Sequence, residues 1–146
     1  MSLITIGDKM QINTILEMLQ SHSTASGVLF NCEMIDSDID VDVIRVSIAN
    51  KDRLPVFITM TENQILCMVN LWKTEEIDPA RLIEVQNFML ELSVSMPLSS
   101  FGIAGGRYVL FGALSRTSTV EQLAEEIITL TQHADDSVEA FAEYTV

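Results

Sequence analysis

Basic residues are scarce in this chain: eight lysines and arginines stand against 21 aspartates and glutamates in 146 residues, giving a formal charge of −13. None follows Arg116. A surface of that sign repels phosphate backbones and anionic headgroups over about a Debye length. The cations Lys9, Arg45, Lys51, Arg53, Lys73, Arg81, Arg107 and Arg116 are scattered, so no basic stripe tracks a nucleic acid and none is expected as a partner. A basic protein is the charge-compatible option. Cysteine is equally sparse. Cys32 and Cys67 lie far apart in strand-like apolar sequence, which suits reduced, buried thiols in a cytosol rather than a disulfide framework. Nowhere do about eighteen apolar residues run together, and Met1–Gly7 carries no positive region before its short apolar run. The expectation is a cytoplasmic protein without stable membrane insertion.

What remains is a packed globular composition, 48% hydrophobic and 20% charged. A chain of this length buries roughly 68–70% of its unfolded surface, enough for one core without metal or disulfide. A single domain spanning residues 1–146 follows.

Asp8-Lys9-Met10-Gln11 has capping-box spacing and opens a helix whose Ile12, Ile15, Leu16 and Leu19 recur at the helical period. From Val28 the period shortens to that of strands, predicted over 28–35, 41–48, 56–61 and 65–72, with connections too short for parallel crossovers. Asp78-Pro79 restarts a helix with the stripe Leu82, Val85, Met89, Leu92, which Pro97 stops. Segments 99–104 and 108–114 form a hairpin around Gly105-Gly106, and Ser118-Thr119-Val120-Glu121 caps a last helix. The fold class is α+β, an antiparallel sheet with flanking helices in the order α-β-β-β-β-α-β-β-α.

Candidate chemistry is thin. Asp36-Ser37-Asp38-Ile39-Asp40-Val41-Asp42 alternates carboxylates like the opening of a calcium loop. It has Val41 where the turn glycine belongs and Ser47 where the bidentate glutamate belongs, so a solvated acidic turn is the better reading. A nucleophile needs an orienting base, and His22 and His133 carry no local signature beside Cys32, Cys67 or any serine. Gly102-Ile103-Ala104-Gly105-Gly106-Arg107 matches neither a Walker loop nor a dinucleotide fingerprint and lies between strands. No catalytic, metal or cofactor site is assigned. The methionines, Met10, Met18, Met34, Met60, Met68, Met89 and Met96, read as core filler, with an adaptable apolar groove as the alternative.

The last helix is the interaction candidate. Val120, Leu123, Ile127, Leu130, Ala134, Ser137, Phe141 and Tyr144 step by three and four, a seam that docks on a sheet or another helix. Its carboxylates Glu125, Asp135, Asp136, Glu139 and Glu143 are the candidate partner-binding residues, and the later ones sit near the unfavourable negative end of the helix dipole.

Three segments resemble the YjfI-like bacterial family of unknown function (DUF2170): Pro97-Leu98-Ser99-Ser100-Phe101-Gly102, Tyr108-Val109-Leu110-Phe111-Gly112-Ala113-Leu114-Ser115, and the closing helix from Ala124-Glu125-Glu126-Ile127 to Glu139-Ala140-Phe141-Ala142-Glu143-Tyr144. The resemblance implies a small cytoplasmic protein, linked in some members to a phage-shock-protein-A-like membrane-stress protein, and supplies no catalytic residues. The element order is also similar to secretion chaperones and YbjN-like proteins, though four strands precede the second helix here where those folds commonly have three. The expectation is a non-enzymatic, chaperone-like or adaptor protein that binds another protein. A small-molecule sensor or enzyme with a pocket between sheet and helices is the alternative, and a self-associating homodimer the third reading.

Overall fold

The computed structural model describes residues 12–35, 42–51 and 53–146. In chain order the elements are α1 (Ile12–Ser21), β1 (Phe30–Ile35), β2 (Val43–Ile48), β3 (Val56–Met60), β4 (Ile65–Lys73), α2 (Leu82–Ser95), β5 (Ser100–Ala104), β6 (Arg107–Leu114) and α3 (Val120–Ala140). Short 3-10 turns cover Thr74–Glu76, Pro79–Arg81 and Ala142–Tyr144. The fold class and element order match those read from the sequence. The Asp8–Gln11 capping box, and the acidic turn up to Val41, lie outside the described residues.

The six strands form one antiparallel sheet in the order β1-β2-β3-β4-β6-β5. β6 is inserted between β4 and β5, which run the same way and are joined through α2. Because directly paired residues share a face, the register puts Phe30, Val46, Val56, Ile58, Cys67, Val69 and Leu110 on one side. All are buried with Ile15 and Leu19 of α1 and Leu123, Ile127, Leu130 and Ala134 of α3. The α3 seam therefore faces its own sheet.

β4 changes its inward set along its length. Ile65, Cys67 and Val69 point inward, then a register irregularity between Asn70 and Trp72 brings Trp72 to the same face. Trp72 joins a second core with Ile77, Val85, Met89, Tyr108, Phe141 and Tyr144. Phe141 is its centre, its ring centroid 5.4 Å from Trp72, 4.8 Å from Phe88 and 5.7 Å from Phe101. Thus α2 also packs on the face that α1 and α3 cover.

Two helix starts differ from expectation. Asp78 accepts from the Ala80 amide at 3.0 Å, but the cap opens a 3-10 turn at Pro79–Arg81 and α2 begins only at Leu82. The cap of α3 is Thr119, not Ser118: Gln122 N–H donates to Thr119 Oγ1 at 3.2 Å and Thr119 N–H donates to Gln122 Oε1 at 2.8 Å. The Ser118 amide is already committed to the Ser115 carbonyl at 3.0 Å, which shifts the box by one residue. The hairpin does turn at Gly105 and Gly106, both left-handed at φ 58° and 74°. Replacing Thr119 with alanine should cost about 1 kcal/mol of stability in chemical denaturation, whereas Ser118→Ala, without a capping bond to lose, should cost less.

Candidate functional site

Helix α3 carries the residues singled out from the sequence, and the structure divides them. By helical spacing Glu125, Asp136 and Glu139 lie on one outward stripe with Glu121, all exposed. Gln132 on that stripe donates to Asp136 Oδ1 at 3.2 Å. Asp135 is turned aside to Arg53, whose Nε is 3.3 Å from its Oδ2. Glu143, beyond the helix, meets Arg81 at 3.6 Å. The dipole conflict read from the sequence is thus relieved at two carboxylates by arginines from other elements. The stripe near Glu121 and Glu125 also borders a surface cleft of about 590 Å³ with His22, Ser23, Thr24 and Ser26 on its far wall.

Glu126, next in sequence to the exposed Glu125, lies inside. It is 2% exposed, and its Oε1 has no hydrogen-bond partner. Its position is legible afterwards, because 126 falls three residues after Leu123 and four before Leu130, in the seam itself. Gly112 of β6 makes room for it: the Glu126 Oε1 occupies the place where a side chain on residue 112 would begin, and the Leu98 carbonyl oxygen lies 2.6 Å from that same point. A carboxylic acid can donate toward that carbonyl, whereas a carboxylate can only oppose it. Burial first, and the charge of Glu125 second, push the Glu126 carboxyl from 4.5 up to about 7.

The turn that supplies this carbonyl is itself unusual. Leu98 is left-handed at φ 63°, a region costly for a residue with a branched side chain. Next to it the buried Ser99 hydroxyl bonds His133 Nδ1 on α3 at 2.9 Å. This is the one serine–histidine contact among the described side-chain hydrogen bonds, and Ser99, 4% exposed, is buried away from a substrate. The pair ties the α2–β5 turn to α3.

The cysteines behave as the sequence reading had them, as free thiols. Strands β2 and β3 separate Cys32 from Cys67, about 14 Å at ~4.8 Å per strand, beyond the reach of about 7 Å for a disulfide. Burial pushes Cys32 up to about 11 and Cys67 higher still, the latter reinforced by Glu126. Neither supplies a thiolate near neutral pH. Among the described residues no group of three or more histidines, cysteines and carboxylates is placed to hold a metal ion, and no helix is long and apolar enough to cross a membrane.

Two apolar surfaces stand out instead. Among the described residues no helix lies on the second face of the sheet. There Phe57, Met68 and Phe111 stand in one row across β3, β4 and β6, with Leu66 and Ala113 in the next. Phe57, Met68, Phe111 and Leu66 are all partly exposed. The strand-borne charges of that face are Glu33 and Arg45, which pair at 3.5 Å, and Lys73 and Arg107, which are register partners at the far end of β4 and β6. Met68 is the described methionine in this row. Met89 is buried, and Met18, Met60 and Met96 pack against the core, as the filler reading expects. The other surface is the outer side of α2 beside β5, where Ile83, Leu90, Val94 and Ile103 are all exposed.

The model of a family described as an uncharacterized protein conserved in bacteria (DUF2170) matches residues 9–145. The chain belongs to this family. Similar to it are the uncharacterized YjfI proteins of Escherichia coli K12 and O157:H7, each 39% identical over 66 residues. That alignment covers 42% of this chain and 50% of each relative, so the chain spans about half the length of the curated relatives it matches.

The Glu126 environment makes stability pH-dependent in a defined sense. A folded-state value near 7 against 4.5 in water means that the contribution is fully present below about pH 4.5 and is lost as pH rises through about 7. The groups facing it are Glu125 on its own helix and Cys67 on β4, with His133 two turns along α3 held to Ser99. Relative to Glu126→Gln, the native protein should lose about 3 kcal/mol between pH 4.5 and 8. Urea denaturation of both proteins across that range checks this, and parallel curves would refute it.

Proposed function

We propose that this member of the family is a non-enzymatic cytoplasmic protein that binds another protein, in a chaperone-like or adaptor role, through the sheet face on which, among the described residues, no helix lies. The observation that carries the reading is the row Phe57–Met68–Phe111 with Leu66 beside it, aromatic and flexible apolar side chains side by side, with the Glu33–Arg45 pair on one flank and Lys73 and Arg107 at the far end of β4 and β6. Aromatic anchors contribute large contact area, and a methionine among them adapts to varied apolar shapes. The acidic stripe Glu121, Glu125, Asp136, Glu139 lies on the other side of the molecule, because α3 covers the opposite sheet face. It favours solubility and draws basic partners by long-range steering rather than by contact. The family resemblance supports a phage-shock-protein-A-like protein as the partner to test first, which would connect the role to envelope stress.

A photo-crosslinker at position 68 should capture a defined protein in the native cytosol, and one at Gln132, on the acidic stripe, should not. Phe111→Asp should weaken the captured complex at least tenfold while leaving the thermal transition cooperative. Equal capture at both positions, or none at position 68 at any salt concentration, would refute the proposal.

A further inference from the structure

Helix α2 is apolar on both sides. Val85 and Met89 fill the aromatic core, yet on the opposite side Ile83, Leu90 and Val94 are 76%, 67% and 90% exposed. A helix lying on a domain surface should be polar outside; α2 instead keeps its polar residues on its flanks and an apolar ridge outermost, as a surface that meets a partner does. The spacing 83, 90, 94 puts the three side chains in one ridge about 16 Å long at 1.5 Å per residue. Beside the ridge runs a groove of about 300 Å³ between α2 and β5, lined by Gln86, Met89, Leu90, Phe101, Ile103 and Tyr108.

The chemistry of this patch selects its occupant. β5 is an edge strand, but the Phe101 amide donates to Ser93 Oγ of α2 at 2.9 Å, which blocks strand addition at that residue and leaves side-chain packing as the available contact. From Leu92 to Gly106 the chain carries no charged residue. The glutamates of α2 at 84 and 91 stand on the flank away from β5, and Glu84 is held by Arg81 at 3.0 and 3.1 Å. A cationic partner would find no counter-charge in the groove. A second copy of this chain finds a region where two molecules of charge −13 meet without opposing carboxylates, and a ridge of the same apolar character beside a groove. A two-fold axis between ridge and groove seats each ridge in the other copy's groove, the self-complementary contact of a closed dimer.

We propose that the α2–β5 patch is a homodimer interface, with Leu90 as its central anchor. It is distinct from the partner-binding sheet face, on which it does not depend. The contact is small and built on apolar surface, so dimerisation falls in the micromolar range. Because screening removes the repulsion between two acidic copies, dimerisation strengthens as salt rises, opposite to the salt response of a basic partner.

Sedimentation equilibrium of the full chain tests this, with mass followed against concentration at low and high salt. A concentration-dependent dimer that tightens with salt is expected. Leu90→Asp, on an exposed side chain, should weaken it at least a hundredfold with the circular dichroism spectrum unchanged, and Val94→Asp should weaken it as well. Phe111→Asp on the sheet face should leave it intact. A monomer up to about 1 mM, far above a micromolar dissociation constant, would overturn the proposal. So would a dimer that survives Leu90→Asp and Val94→Asp, or one abolished by Phe111→Asp alone.

Discussion

The packing of the α3 seam onto β4 and β6 is the contact on which the remaining architecture depends. Leu123, Ile127, Leu130 and Ala134 meet Cys67, Val69 and Leu110 in one buried cluster, and each large side chain there is worth roughly 1.5–3 kcal/mol. With α3 across the centre of the sheet, α1 fills the β1 side of the same face and α2 the β5 side. With three helices on one face, the other is left, among the described residues, to β-strand side chains. The partly exposed row at Phe57, Met68 and Phe111 is therefore a consequence of where α3 docks, not an independent feature of the strands.

The charge distribution follows from the same docking. Having its apolar seam turned inward obliges α3 to carry its carboxylates outward, where the last turns would suffer from the dipole. The fold answers with arginines brought from far along the chain, Arg53 to Asp135 and Arg81 to Glu143. Arg81 also lies 4.2 Å over the Tyr144 ring and binds Glu84, so one guanidinium joins α2 to the chain beyond α3. These pairs are exposed and individually weak. The chain from Leu92 to Gly106, which includes β5, carries no charge of its own.

Element order and hairpin geometry were legible because they rest on local physics. Gly105-Gly106 permits one kind of turn, Pro97 ends a helix, and the alternation in β2 assigns its faces without reference to any neighbour. Long-range facts were not legible. Glu126 looks like its neighbour Glu125 in composition, and only the missing side chain of Gly112, fourteen positions earlier on another element, makes a cavity for it. The one-residue shift of the α3 cap had the same origin, since Ser118 was already spent in a turn with Ser115. The inward turn of Trp72 depends on a strand irregularity that no alternation pattern announces. The candidate carboxylates lie outside the core, on α3 and just beyond it, but the apolar surfaces lie on β3, β4, β6 and α2, where sequence periodicity reads an apolar residue as core.

The Gly112–Glu126 arrangement also constrains how such a chain can change. The two residues occupy one volume between them: a side chain at 112 collides with the glutamate, and with alanine at 126 it still meets the Leu98 carbonyl oxygen 2.6 Å away. Drift at this place must pass through the helix first and the strand last, since shortening residue 126 opens part of the space and the turn at Leu98 must yield before residue 112 can lengthen. The order of substitution, rather than their sum, determines whether an intermediate sequence folds.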